Sequence, residues 1–253
     1  MRLIRRAAGL VLALALAVPA WSGGMSRQDV ERRIQAGAAG LPSVMPLVRQ
    51  VDWTQLQMGR HPDMAHELIE IVGKVCRNDR KGLLVVAALL RSPDLVERRG
   101  MIEILRQTEI KDDQIVPFLD QALKDPDVNM RLQAAQLLHF QDNPKGDGLS
   151  QGILAAETDP RVKALAAGSL ARHGKPQGMA ALRKLLGDTG WEGRHAAALA
   201  LKDVPTAESR AELEAAIRTE SSPTVLSALI ASLRAQTEET DREVRLRLLG
   251  RPW

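Results

Sequence analysis

The chain has 253 residues, 45% hydrophobic and 26% charged, which supplies apolar side chains for one sizeable core and excludes a disordered polypeptide. Four Trp, two Phe and no Tyr leave little aromatic surface, arguing against base-stacking platforms for single-stranded nucleic acid and against sugar- or nucleotide-stacking sites. The formal charge of +4 drops to about +1 when the three arginines at positions 2, 5 and 6 are set aside, so no polyanionic partner is expected.

Those arginines precede an apolar or small run from Ala7 to Val18 and then Pro19-Ala20-Trp21-Ser22-Gly23-Gly24. The pattern reads as a signal peptide over residues 1–22, cleaved after Ala20 or Ser22. The run is short against the roughly 20 residues of a spanning helix, so stable membrane insertion after cleavage is not expected. An uncleaved N-terminal anchor in the inner membrane is the alternative. Cys76 is the sole cysteine, so no internal disulfide can form, and a long exported chain stabilised without disulfides points to the bacterial periplasm. Cys76 falls in the apolar row Leu68, Ile71, Val72 and Val75, which predicts a buried, inert thiol.

Residues 23–60 are expected to form an N-terminal helical cap. Its first helix runs from about Gln28 to Ala38, with Ser26 and Asp29 as its start signal. The reason for a cap lies downstream: Leu83-Leu84-Val85-Val86-Ala87-Ala88-Leu89-Leu90 is apolar all round and needs cover on its outer side.

Residues 61–253 are repetitive. His61-Pro62-Asp63, Ser92-Pro93-Asp94, Asp125-Pro126-Asp127, Asp159-Pro160-Arg161 and Ser222-Pro223-Thr224 each read as a helix start, with Pro at the first helical position. Behind these starts, Ala65, Arg98, Arg131, Lys163, Arg194 and Leu226 are each followed at +3, +4 and +7 by small or apolar residues, with spacings of 33, 33, 32, 31 and 32. That spacing puts the apolar side chains on one helical stripe, and the period leaves room for two helices and two turns. Second helices are expected at about Gly82–Leu90, Asp113–Lys124, Gly148–Ala156, Gln177–Leu186, Glu208–Arg218 and Asp241–Leu249, with the longest insertion at Gln141–Ser150.

Six residues before the aligned position stand Ser92, Asp125, Glu157, Asp188 and Glu220. The acid, the base and the following Ala-Ala step, best seen in Asp159-Pro160-Arg161-Val162-Lys163-Ala164-Leu165-Ala166-Ala167, resemble the HEAT-repeat family over about 190 residues. The first and last copies depart from it, with Ala65 and Leu226 in place of the base. The resemblance implies an all-α, right-handed α-solenoid (an armadillo-like αα superhelix) of about six helical hairpins. It also implies that Asp125, Arg131, Glu157, Lys163, Asp188 and Arg194 form a structural ladder between neighbouring repeats, and that the second helices line the concave face.

Candidate chemistry is sparse. His66 and Glu70, at i and i+4 and with His61 and Asp63 nearby, supply too few ligands for a zinc site. His139 and His173 fall near helix ends, where an imidazole suits the last carbonyls. Asp112-Asp113 and Glu238-Glu239 read as solvated helix starts. No nucleophile elbow, metalloprotease helix, phosphate-binding glycine loop or haem motif occurs. No catalytic, metal or cofactor residue is therefore expected. Arg242, Arg245 and Arg247 in the C-terminal hairpin, interleaved with acids, form a candidate docking patch for an acidic protein. Trp191 and Trp253 are candidate anchors.

The reading that follows is a periplasmic, non-enzymatic scaffold or adaptor for a protein or peptide partner, with no role in nucleic-acid binding. The alternatives are an accessory subunit or maturation factor of the bilin-lyase type, acting on a cofactor-bearing or modified protein, and a fixed structural subunit of a larger envelope complex.

Overall fold

The computed structural model describes residues 28, 32, 37–53, 63–107, 115–141 and 143–250. The expected signal peptide, most of the first cap helix, His61, Asp112-Asp113 and Trp253 lie outside the described residues. All regular structure among the described residues is helical: α1 (Met45–Val48), α2 (Asp63–Asn78), α3 (Arg80–Ala88), α4 (Leu95–Gln107), α5 (Val116–Ala122), α6 (Val128–Gln141), α7 (Asp147–Ala156), α8 (Pro160–Arg172), α9 (Pro176–Leu186), α10 (Trp191–Lys202), α11 (Ala207–Thr219), α12 (Pro223–Thr237) and α13 (Asp241–Leu249), with 3-10 turns at Gly37–Ser43, Leu89–Arg91 and Pro144–Gly146.

Local chemistry sets the ends of these helices. Pro160 opens α8 while the Asp159 carboxylate accepts the backbone N–H of Arg161 and Val162. Gly174, in the left-handed region at φ +67°, turns the chain out of α8, and the Lys175 N–H closes on the Leu170 carbonyl. Thr240 and Glu243 form a reciprocal capping box at the start of α13, and Gly250 at φ +66° ends it.

Two expected starts are displaced. Helices α4 and α6 begin at Leu95 and Val128, two residues after the prolines. There Asp94 and Asp127 accept the free amides, from Val96 and Met130 respectively, while Ser92 and Asp125 each accept the N–H two residues on. The Asp125 carboxylate receives Arg98, and the Ser92 hydroxyl donates to Glu97. The expected long insertion after Gln141 is also partly structured, with the Pro144–Gly146 turn leading directly into α7.

The first helices α2, α4, α6, α8, α10 and α12 pack in one unbroken row, each against the next. The second helices sit on the other side of that row. The tightest approach is between α8 and α9, where a Cβ on Gly178 would stand 2.3 Å from the Ala171 nitrogen and 2.6 Å from the Ala167 oxygen. No helix among the described residues is long and apolar enough to cross a membrane.

Residues 37–53 lie against the start of this row. The 3-10 turn covers α3, and α1 covers α4, with Leu41, Val44, Leu47, Val48 and Trp53 buried. A Cβ on Gly100 would come within 2.7 Å of Trp53 and Val48, so glycine there lets the segment seat directly on α4. The Trp53 indole N–H donates to the Val48 carbonyl at 2.9 Å, and Arg49 donates to the buried Glu97 carboxylate at 2.7 Å.

Candidate functional site

The acids and bases singled out by the repeat form a line along the edge where each second helix returns to the next first helix. Arg98 donates to Asp125 through Nε at 2.7 Å and Nη2 at 3.3 Å. Arg131 does the same to Glu157 at 2.8 and 3.2 Å, and Arg194 to Glu220 at 2.7 and 3.1 Å. In each case Nη1 turns back to two carbonyls of its own repeat: Ser92 and Pro93, Asp125 and Pro126, Asp188 and Thr189. One guanidinium thus clamps its own turn and the next repeat together.

These contacts shift the acids. Burial alone would raise the Glu157 carboxyl, but the Arg131 guanidinium and the N–H groups of Asp159 and Thr158 overcome it and hold the group below the usual glutamate range. The Arg194 guanidinium holds Glu220 low in the same way, against the cost of burial.

The rung expected at Lys163 and Asp188 is open. The Lys163 ammonium has no hydrogen-bond or ion-pair partner among the described residues, and the Asp188 carboxylate keeps only the contact to the N–H two residues on, from Gly190 at 3.0 Å, that the acids of the closed rungs also make. A lysine offers one nitrogen, which cannot reach both its own carbonyls and the next acid as the forked guanidinium does. Lys163 and Asp188 instead line a cavity of about 390 Å³ together with Leu154, Ala181, Lys184, Leu185, Gly187 and Thr189.

A second groove, about 470 Å³, lies on the other side of α7. Leu123, Leu149, Ile153 and Ala156 give its apolar walls, and the Arg131 and Glu157 side chains border it. The exposed face of α7 between the two cavities consists of Gly148, Gln151, Gly152, Ala155 and Ala156, without a charge. A Cβ on Gly148 or Gly152 would meet nothing within 4 Å. Neighbouring second helices differ: Arg183 of α9 bonds Glu212 and Glu208 of α11 at 2.6 and 2.8 Å, and Arg247 of α13 bonds Glu214 of α11 at 2.9 Å. Ion pairs therefore lace α9, α11 and α13 together, whereas α7 is flanked by open space. The sequence signal was the charge-free stretch from Gly148 to Ala156, whose meaning depends on neighbours that only the fold supplies.

Of the candidate docking arginines, Arg247 is taken up by Glu214 and by Glu239 at 2.9 Å, Arg245 is partly buried, and Arg242 is exposed. Trp191 is 48% exposed at the first position of α10, its ring edge-on to His195 at 6.0 Å between centroids. His66 and Glu70 stand on the exposed side of α2.

His139 and His173 stand at the ends of α6 and α8 as expected, and their rings also reach carboxylates in other repeats. His139, buried at the end of α6, meets Asp203 at 3.2 Å, two repeats away, and His173 meets Asp147 at 2.6 Å. The first contact passes α8 at Gly168, where a Cβ would stand 3.2 Å from the Ala200 methyl and 3.6 Å from the His139 ring. Cys76 is buried, and burial pushes its thiol up to about 12, so it is inert at neutral pH.

Stacked helical pairs joined by side-chain clamps between neighbouring repeats define a helical-repeat protein. Residues 146–234 match the family model described as HEAT repeats. Among solved structures, the chain is similar to the crystal structure of an engineered protein at 17% identity and a TM-score of 0.47, covering 85% of this chain and 98% of that one. The comparison with curated proteins finds no match.

Proposed function

We propose that this protein is a periplasmic, non-enzymatic scaffold that holds a protein partner against its second helices, centred on α7. The observation that carries the reading is the uncharged, exposed face of Gly148, Gln151, Gly152, Ala155 and Ala156 with a cavity on each side. Backbone that bare lets another chain approach closely, and repeat stacks present such surfaces as long, shallow tracks. HEAT repeats generally mediate protein–protein contact, which supports the same reading. In it, the clamps of Arg98, Arg131 and Arg194 on the next repeat's acid are structural and keep the track in register. The signal-like start of the chain supports export.

The test is affinity capture from envelope extract with the mature chain and with Gly152→Arg, read by mass spectrometry. Open space around Gly152 lets the variant fold, which circular dichroism checks. A stoichiometric partner held by the wild type and lost by the variant is the expected result. The same partner held equally by both, or no partner at all, refutes a docking role for α7. Fractionation of a tagged chain into periplasm, membrane and cytoplasm checks the location.

A further inference from the structure

We propose that the open rung between Lys163 and Asp188 is an anchoring pocket for an acidic side chain of the partner, a Glu or Asp next to an apolar residue. The inference rests on the scaffold reading and names the chemistry that its surface selects.

The first argument is the exception in a regular series. At Arg98, Arg131 and Arg194 the base is consumed by the acid of the following repeat, 27, 26 and 26 residues along the chain. At Lys163 it is not, and the unused cation is left facing a cavity. The second argument is charge. Lys163 and Lys184 both line the cavity, neither ammonium has a hydrogen-bond or ion-pair partner among the described residues, and Asp188 is the single acid among the lining residues. The cavity therefore carries a net positive charge that a carboxylate would neutralise while accepting hydrogen bonds from both ammonium groups.

The third argument is shape. About 390 Å³ lies within the roughly 300–1,000 Å³ of ordinary ligand sites, more than one carboxylate fills. Leu154, Ala181 and Leu185 supply an apolar wall beside the lysines. The occupant is thus an acidic residue with an apolar neighbour on a segment lying along α7, since Leu154 belongs to that helix.

The decisive variant is Lys163→Arg. It keeps the charge but restores the forked side chain that closes the other rungs, so it is expected to clamp onto Asp188 and empty the pocket of its function. Fluorescein-labelled short peptides with a central Leu-Glu step, and counterparts with Leu-Gln, serve as probes in fluorescence polarisation with the full mature chain. The Leu-Glu probe is expected to bind the wild type about fivefold or more tightly than the Leu-Gln probe, and to lose that margin in Lys163→Arg and in the Lys163→Met, Lys184→Met double variant. Lys163→Arg should also melt above the wild type, showing that it lost binding by closing the rung and not by unfolding. Equal binding of the two probes to the wild type, or undiminished preference in Lys163→Arg, overturns the proposal. Repeating the extract capture separates the two readings: a partner lost with Gly152→Arg but kept with Lys163→Arg removes the pocket and leaves the scaffold standing, and a partner kept with both removes both.

Discussion

The difference between arginine and lysine decides the character of each rung. Both residues fit the repeat as a base six positions after an acid or hydroxyl, so the periodicity showed where the charges fall but not which of them meet. The guanidinium spans two carbonyls of its own turn and a carboxylate of the next, and the ammonium at Lys163 does not. Replacing Arg131 by Ala leaves the Glu157 carboxylate, whose side chain is only 6% exposed, without its guanidinium, and is expected to cost about 1–2 kcal/mol in chemical denaturation. Acid titration gives a second check. The Glu220 carboxyl is held below its ordinary range in the folded chain, so its contribution is complete above that range and is lost as the pH falls through the lowered value. The melting temperature gap between the wild type and Glu220→Gln should therefore be widest near neutral pH and narrow as the pH falls below the ordinary glutamate range. A gap that does not narrow anywhere in the acid range would show that the ionised Glu220 adds nothing to stability through Arg194.

At the level of the helix, the sequence pattern was most informative where Pro, Gly and caps coincide. Helices α9, α11 and α13 begin and end within one residue of their expected limits, because Pro176, Thr206 and the Thr240 box leave little choice. Helices α4 and α6 start two residues late because Asp94 and Asp127 take over the capping, and of the two displaced caps Asp125 is drawn to Arg98 of the preceding repeat, information that no local window contains. Glycines inside the helices show the same limit. Gly152 of α7 and Gly178 of α9 are both glycines inside second helices, yet one faces open space and the other lies against the backbone of α8. Gly152→Ala should therefore stabilise by roughly 0.5–1 kcal/mol through helix propensity alone. Gly178→Ala should destabilise by about 1–3 kcal/mol, since α8 and α9 must separate to admit the methyl group. Opposite signs in paired urea titrations are the expected result, and equal signs would contradict the packing described for one of the two helices.

Across the whole molecule, the buried apolar residues divide into two clusters that meet on α8. Val162 and Ala166 belong to the cluster reaching back to Leu41, whereas Ala164, Ala167 and Ala171 belong to the one reaching forward to Val244. The division falls where the rung at Lys163 is open and the grooves beside α7 lie, so the proposed binding surface coincides with the seam between two cores. The halves are coupled through α8, whose side chains at the seam are mostly small, and His139 with Asp203 provides a polar strap across it. A repeat stack is stabilised by nearest-neighbour interfaces, so its weakest interface sets where cooperativity breaks. Hydrogen exchange read by mass spectrometry should accordingly give one opening free energy for α4 and α6 and another for α10 and α12, differing by roughly 1–2 kcal/mol. Asp203→Ala, which cuts the strap on a half-exposed residue, should widen that difference while leaving exchange in α4 unchanged. A single free energy throughout, unaffected by the substitution, would mean that the packing of α8 against α6 and α10 alone makes the stack one cooperative unit, and that a partner bound along α7 meets a rigid surface instead of a joint it can brace.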